Sequence, residues 1–239
     1  CTDFEREFMS LTFALATGVG KTRLMGAFIT YLYTQHGIRN FFVVAPGTTI
    51  YDKLQRDLGD PNSSKYVFKG LSCFVNAPQI ITGDDYRSKP LPTFQSEVRI
   101  FVFNISKFDK ENANMKKINE YYGDSFFETL AQLPDLVLLM DESHHYHGAK
   151  GEQALNDLKP LLGLELTATP LMAAKKKNGN QEPFKNVVYE YPLSRAIADG
   201  YTRTPFAVTR SDVDFYNFGD EQIDKLMLQD GILCHERIR

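Results

Sequence analysis

Tryptophan is absent from the 239 residues, and cysteine occurs only at Cys1, Cys73 and Cys234. Three cysteines so far apart build neither a disulfide framework nor a Cys-x-x-Cys metal site, which fits a reducing, cytoplasmic setting. Long hydrophobic runs are missing as well. None approaches the ~20 residues of a membrane span, and no secretory signal is present, so no membrane partner is expected. Excess charge of either sign is lacking, with a net charge of −3 and a pI near 6.0. That excludes a global basic field, so any nucleic-acid surface has to be a local patch. Core material is plentiful: 43% hydrophobic residues with 18 Phe and 12 Tyr suffice for one large α/β domain or two small ones. The chain starts close to a core strand and ends on the charged run His235–Arg239, so both ends read as cut from a longer protein.

The chain is organised around Leu11–Gly26, LTFALATGVGKTRLMG. Leu11–Leu15 predicts a buried strand, and residues 21–36 predict a helix with Leu24, Phe28, Ile29, Leu32 and Tyr33 on one face. Between them lies Ala16-Thr17-Gly18-Val19-Gly20-Lys21-Thr22. Glycines let backbone N–H groups turn toward phosphates, and the helix N-terminus adds partial positive charge. Lys21 supplies a full charge for the β/γ-phosphates, and the Thr22 hydroxyl suits Mg²⁺. The general phosphate-loop pattern has another glycine where Leu15 stands; the alternative is an ordinary glycine-rich turn.

Further strands are predicted at Phe41–Ala45, Val98–Asn104, Leu136–Met140 and Gly163–Leu166, with a helix capped by Thr48 or Thr49 and running to about Leu58, and helices at Ser125–Leu133 and Glu152–Leu158. This alternation argues for an α/β fold with a mainly parallel sheet flanked by helices. Shorter strands are expected at Gly70–Val75, Gln79–Thr82 and Thr204–Thr209, and shorter helices at Pro192–Asp199 and from Ile223. Residues 107–123 read as an exposed insertion, and 175–181 as a solvated loop. Leu136–His145, LVLLMDESHH, puts Asp141 and Glu142 at the C-terminal edge of the sheet, where open α/β folds bind ligands. Asp141 suits the Mg²⁺ shell and Glu142 the role of general base toward an attacking water; the alternative is a pair of acids capping the next helix.

Thr17–Thr22, Asp141-Glu142-Ser143-His144 and Leu166-Thr167-Ala168-Thr169-Pro170 together resemble motifs I, II and III of superfamily 2 helicases. Motif II is similar to the DEAH version with Ser143 for alanine, and Asp-Glu-Ser-His-His-Tyr resembles the Res subunit of type III restriction enzymes. Val43–Thr48 sits where motif Ia lies, and Phe103–Lys107 where motif Ib would. The resemblance implies that residues 1–210 are the first of two RecA-like domains, and that 211–239 begin a linker or helical segment. It implies ATP and Mg²⁺ bound by Thr17, Gly18, Val19, Gly20, Lys21 and Thr22, with Asp141 on the metal and Glu142 as catalytic base. His144, Thr167 and Thr169 would couple the nucleotide to the opposing domain, while Gly47, Thr48 and Thr49 would touch a nucleic-acid backbone. The implied partners are double-stranded DNA, a second RecA-like domain and a modification or specificity subunit.

The implied activity is that of an ATPase motor, a DNA translocase or helicase. An RNA helicase, or a nucleotide-gated clamp without turnover, stays open. Residues 1–15 hold no adenine-reading glutamine, no motif VI arginine is recognisable, and the nearest nuclease-like residues, Pro134-Asp135 with Glu165-Leu166-Thr167, lack the lysine. Arg23, Arg195, Arg203 and Arg210 are not placed at the nucleotide by any motif, so this fragment alone is expected to hydrolyse ATP negligibly. His144, His145 and His147 fall within one turn and cannot easily converge on zinc.

Overall fold

The computed structural model describes residues 3–82, 98–104, 124–146, 149–172, 181–204 and 219–238. Contacts divide the chain into two units, Cys1–Thr202 and Arg203–Arg239. The first is built on seven strands: β1 (Ser10–Leu15), β2 (Asn40–Ala45), β3 (Gln79–Thr82), β4 (Arg99–Asn104), β5 (Leu136–Asp141), β6 (Leu162–Thr167) and β7 (Val187–Tyr191). They form one sheet in the order β3-β4-β2-β5-β6-β1-β7, and every pairing is parallel. The helices of this unit are α1 (Lys21–His36), α2 (Thr48–Gly59), α3 (Asp124–Ala131), α4 (Ala149–Asp157) and α5 (Leu193–Ala198). This is the expected α/β architecture, a parallel sheet flanked by helices.

The continuous apolar runs are explained by a sheet covered on both faces. Side chains alternate along a strand, so Phe41, Val43, Val137 and Leu139 enter one cluster with Met25 and Ile29 of α1 and Leu54 and Leu58 of α2. Phe42, Val44, Leu136, Leu138 and Met140 enter the other, with Leu130 of α3 and Leu155 of α4. All six residues of β2 and all six of β5 are buried, the pattern of central parallel strands. Burying one such Leu or Phe stabilises the fold by about 1.5–3 kcal/mol.

Several expectations need correction. Gly70–Val75 is not a strand: the chain turns at Gly70 (φ 79°) and makes a 3₁₀ turn at Ser72–Phe74. The turn drives Phe74 onto Phe68, ring centroids 4.3 Å apart, so the apolar residues cap the α1 face without joining the sheet. Neither Thr48 nor Thr49 caps α2; Gly47 stands at the N-cap with extended backbone, and Thr48 is already helical. Strand β7 is additional. It lies parallel to β1 at the sheet edge, with a register shift between Thr12 and Phe13. Residues 107–123, most of 175–181 and most of Thr204–Thr209 lie outside the described residues. In the second unit the helix expected from Ile223 is longer, α6 (Asp220–Ile238). No described helix is long and apolar enough to cross a membrane.

Toward the N-terminal ends of β1 and β7 runs a buried polar network. Arg6 Nε donates to Glu165 Oε1 at 2.9 Å, and both side chains are fully buried. Ser10 donates to the same oxygen at 2.7 Å, and Asn186 Nδ2 lies 3.2 Å from it. Thr12 donates to Asn186 Oδ1 at 3.0 Å. These bonds satisfy a carboxylate that would otherwise be costly inside the sheet. They also tie β1 to β6 and to the segment entering β7.

Candidate functional site

Parallel pairing brings the C-terminal tips of the strands to one edge. Asn104 pairs with Ala45, Val44 with Met140, Asp141 with Leu166 and Thr167 with Ala14. Residues far apart in sequence thus share one rim, as the sheet alternation implied.

After Leu15, residues 16–20 turn the chain into α1. Gly18 (φ 86°) and Gly20 (φ 104°) hold backbone conformations that other residues adopt only with strain. Gly20 is the N-cap of the 16-residue α1, and no side chain caps it, which leaves the first amides and the positive helix end for an anion. Thr17 is exposed, while Val19 is partly buried against the core.

Lys21 reaches Glu142, Nζ to Oε1 at 2.6 Å, with side chains 11% and 22% exposed. Glu142 is itself a non-glycine residue at φ 50°, a conformation costing about 1–3 kcal/mol that clusters at functional sites. Its other oxygen, Oε2, accepts from the Ala168 N–H at 3.5 Å and lies 3.6 Å from His144 Nδ1. That imidazole nitrogen is 3.0 Å from Thr167 Oγ1 and 3.3 Å from Thr169 Oγ1. Thr167 Oγ1 also accepts the Thr169 N–H at 3.1 Å. The tips of β5 and β6 are therefore joined through His144 and two hydroxyls. The side chain of His145, and all of His147, lie outside what the structure describes.

Asp141 is buried, and its Oδ1 has no hydrogen-bond partner among the described residues. Burial first, then the adjacent Glu142 charge, pushes its carboxyl above the ordinary value, while Lys21 and Lys53 pull it down. The Ser143 hydroxyl is buried and likewise unbonded among the described residues, and nothing in the structure accounts for it.

Lys53 is the residue that sequence reasoning missed. It projects from α2, donates from Nζ to Thr22 Oγ1 at 3.1 Å, and lies 3.9 Å from Asp57. No motif marks it; its only signal is a lysine one turn into the helix that follows the rim loop. At that loop Thr48 and Thr49 are exposed, beside Gly47. Thr48 Oγ1 accepts from Asn104 Nδ2 at 3.3 Å, joining the tips of β2 and β4.

The oxygen donors suit a hard cation: a carboxylate oxygen without a hydrogen bond at Asp141 and a hydroxyl at Thr22, the latter already holding the ammonium of Lys53. Mg²⁺ fits this donor set. Arg23 is exposed, as is Arg203; Arg195 stands 5.5 Å from the ring centre of Tyr191, and Arg210 lies outside the described residues.

The sequence profile of the family described as "Type III restriction enzyme, res subunit" matches residues 2–172. A probable type III restriction-modification enzyme HindVIP Res subunit from Haemophilus influenzae is 29% identical over 209 residues, covering 79% of this chain. The chain spans 37% of that relative's length. Among solved structures, the type ISP restriction-modification enzyme LlaBIII bound to DNA aligns with 82% of this chain and 14% of its own, at 16% identity and a TM-score of 0.48. The Sulfolobus solfataricus SWI2/SNF2 ATPase core in complex with dsDNA aligns with 68% of this chain and 28% of its own, at 16% identity and a TM-score of 0.42.

Proposed function

The chain belongs to the type III restriction enzyme res-subunit family, and on that premise we propose that it is the ATP-binding half of a DNA translocase or helicase motor. The observation that carries the reading is the approach of Lys21, at the start of α1, to Glu142, just after β5, at 2.6 Å, beside the unbonded Asp141 oxygen and the Thr22 hydroxyl. A phosphate binder, an acceptor for a water proton and two oxygen ligands thus share one rim.

In this reading Gly18–Lys21 cradle the β- and γ-phosphates through amides and one ammonium. Thr22 and Asp141 would hold Mg²⁺, which would supply positive charge to neutralise the phosphates. Glu142 orients the attacking water and takes its proton. The entering γ-phosphate competes for Lys21 and so frees Glu142 for that role. His144, linked to Glu142, Thr167 and Thr169, passes the state of the γ-phosphate to an opposing RecA-like domain. Gly47, Thr48 and Thr49 touch the DNA backbone through hydroxyls and amides, contacts that position a strand without reading it. A modification or specificity subunit would supply the reading of sequence.

Two measurements test this. Lys21→Ala should weaken MgATP binding at least tenfold, about 1.4 kcal/mol or more for a lost charge-assisted contact; unchanged affinity in a folded variant removes the phosphate-loop assignment. Steady-state ATPase of this chain, alone and within a full-length res subunit, is then compared with double-stranded DNA, single-stranded DNA and RNA added. Turnover should be negligible in the chain alone, in which no motif VI arginine is recognisable, and stimulated by DNA in the full subunit. Equal DNA-stimulated rates would show that the chain completes its own site.

A further inference from the structure

The groups described so far hold the phosphate end of a nucleotide. Lys21 leans toward Glu142 at the tip of β5, which lies on the β6 side of β1 in the order β5-β6-β1-β7. Phosphates, ribose and base follow one another in a line, so a nucleotide with its γ-phosphate toward β5 sends its base the other way, over β7. A cavity of about 290 Å³ lies there. Its walls include Thr17 at the start of the phosphate loop, Ala168 and Pro170 beyond β6, and Tyr191, Pro192 and Leu193 at the end of β7.

The cavity is joined to the phosphate loop by backbone. The Ala16 N–H donates to the Tyr191 carbonyl at 3.0 Å, and a Cβ placed on Gly18 would stand 3.5 Å from Thr202 Cγ2. Tyr191 is held in place: its hydroxyl donates to Asp199 Oδ2 at 2.7 Å, and the ring of Tyr201 meets it edge-on at 6.4 Å. Leu193 is 45% exposed, an apolar side chain left open to solvent beside the cavity. None of the lining residues is cationic and one, Glu190, is acidic, so the cavity does not suit another phosphate. Apolar walls with an aromatic ring and two prolines suit the flat, weakly polar face of a nucleobase.

Resting on the nucleotide reading above, we propose that this cavity receives the base of the bound nucleoside triphosphate, packed against Tyr191 and flanked by Leu193 and Pro170. The site that grips phosphate and the site that grips the base are then two separable parts of one groove across the tip of β1.

The experiment is calorimetric titration of the chain with MgATP and, separately, with inorganic tripolyphosphate plus Mg²⁺, which has phosphates and no base. Leu193→Ser and Tyr191→Ala should weaken ATP fivefold or more and leave tripolyphosphate within twofold. Tyr191→Phe keeps the ring and should bind ATP like the parent. Lys21→Ala should weaken both ligands. If Leu193→Ser and Tyr191→Ala leave ATP unchanged, or weaken both ligands alike, the base does not sit in this cavity. If Lys21→Ala moves neither ligand, the phosphate-loop reading itself fails, and the base assignment falls with it. Leu193 is exposed enough that its variant tests the cavity even where Tyr191→Ala does not fold.

Discussion

Lys21 Nζ and Glu142 Oε1 lie 2.6 Å apart, a contact between residues 121 positions apart in the chain. The lysine proposed to bind phosphate is thereby paired with the carboxylate proposed to activate water. Each neutralises the other in a partly buried setting where charge interactions are stronger than in bulk water. On the proposed roles, nucleotide binding would have to break this charge-assisted bond before making new ones, so the pair would tune affinity as well as chemistry.

The first prediction concerns Glu142→Gln. The amide keeps the shape but removes the charge that holds Lys21, so MgATP affinity should rise severalfold. Hydrolysis in a full-length subunit should vanish, because an amide cannot accept the water's proton. Titration calorimetry and steady-state ATPase measure the two effects. Wild-type turnover in this variant would mean that Glu142 is not the base.

Asp141 gives a prediction in pH. Its carboxyl is pushed up by burial and by Glu142, so the folded chain binds the proton more tightly than the unfolded one. A carboxyl with a raised folded value costs no stability below its ordinary value of 3.8. The cost grows as pH rises from there through the raised value, and is complete above it. Asp141→Asn removes that cost. In metal-free buffer it should melt higher than the parent at pH 7, with the gap closing toward pH 3.5. A gap independent of pH would show that Asp141 ionises without penalty. The same variant should lose most of the Mg²⁺ dependence of nucleotide binding.

Lys53 holds the Thr22 hydroxyl at 3.1 Å and offsets the negative charge of Asp141. It therefore stands in for a cation among the proposed metal ligands. We predict that Lys53→Met lowers the Mg²⁺ concentration needed for half-maximal ATP binding by two- to fivefold, since the metal no longer displaces an ammonium. A higher Mg²⁺ requirement would instead place Lys53 among the phosphate ligands.

The buried network predicts a stability effect. Glu165→Ala leaves the fully buried Arg6 guanidinium without its carboxylate, and removing one partner of a buried pair costs about 3–5 kcal/mol. Chemical denaturation should register that loss. The double change Arg6→Leu with Glu165→Leu should recover much of it, because no charge is then left buried. A loss under 1 kcal/mol for the single variant, small beside that range, would mean that water reaches Arg6.

Local chemistry was legible in the sequence wherever one short stretch carried it. The Gly-Val-Gly-Lys-Thr turn, the apolar runs at Phe41–Ala45 and Leu136–Met140, and the acids closing the latter announced a parallel sheet with these polar residues gathered at its C-terminal edge. Periodicity sufficed because strands covered on both faces must be apolar at every position, and β2 and β5 are buried throughout. The misleading stretch was Gly70–Val75, where apolar residues pack as a cap through a 3₁₀ turn; composition reports burial but not the route to it.

Only the tertiary structure decided which distant residues meet. Edge strand β7 is half exposed, so its Val187-Val188-Tyr189-Glu190-Tyr191 run lacks the uniform apolar signal, and pairing with β1 alone reveals it. Lys53 reaches Thr22 because α2 returns along the same sheet face as α1, where both feed one apolar cluster. Glu165 is accommodated inside an otherwise apolar strand by Arg6, Ser10 and Asn186, which reach it from other parts of the chain. In each case the deciding contact spans tens of residues or more, and such contacts follow from strand order and register. A local pattern carries information about faces and periods; the partner across the sheet is fixed by the packing of the whole unit.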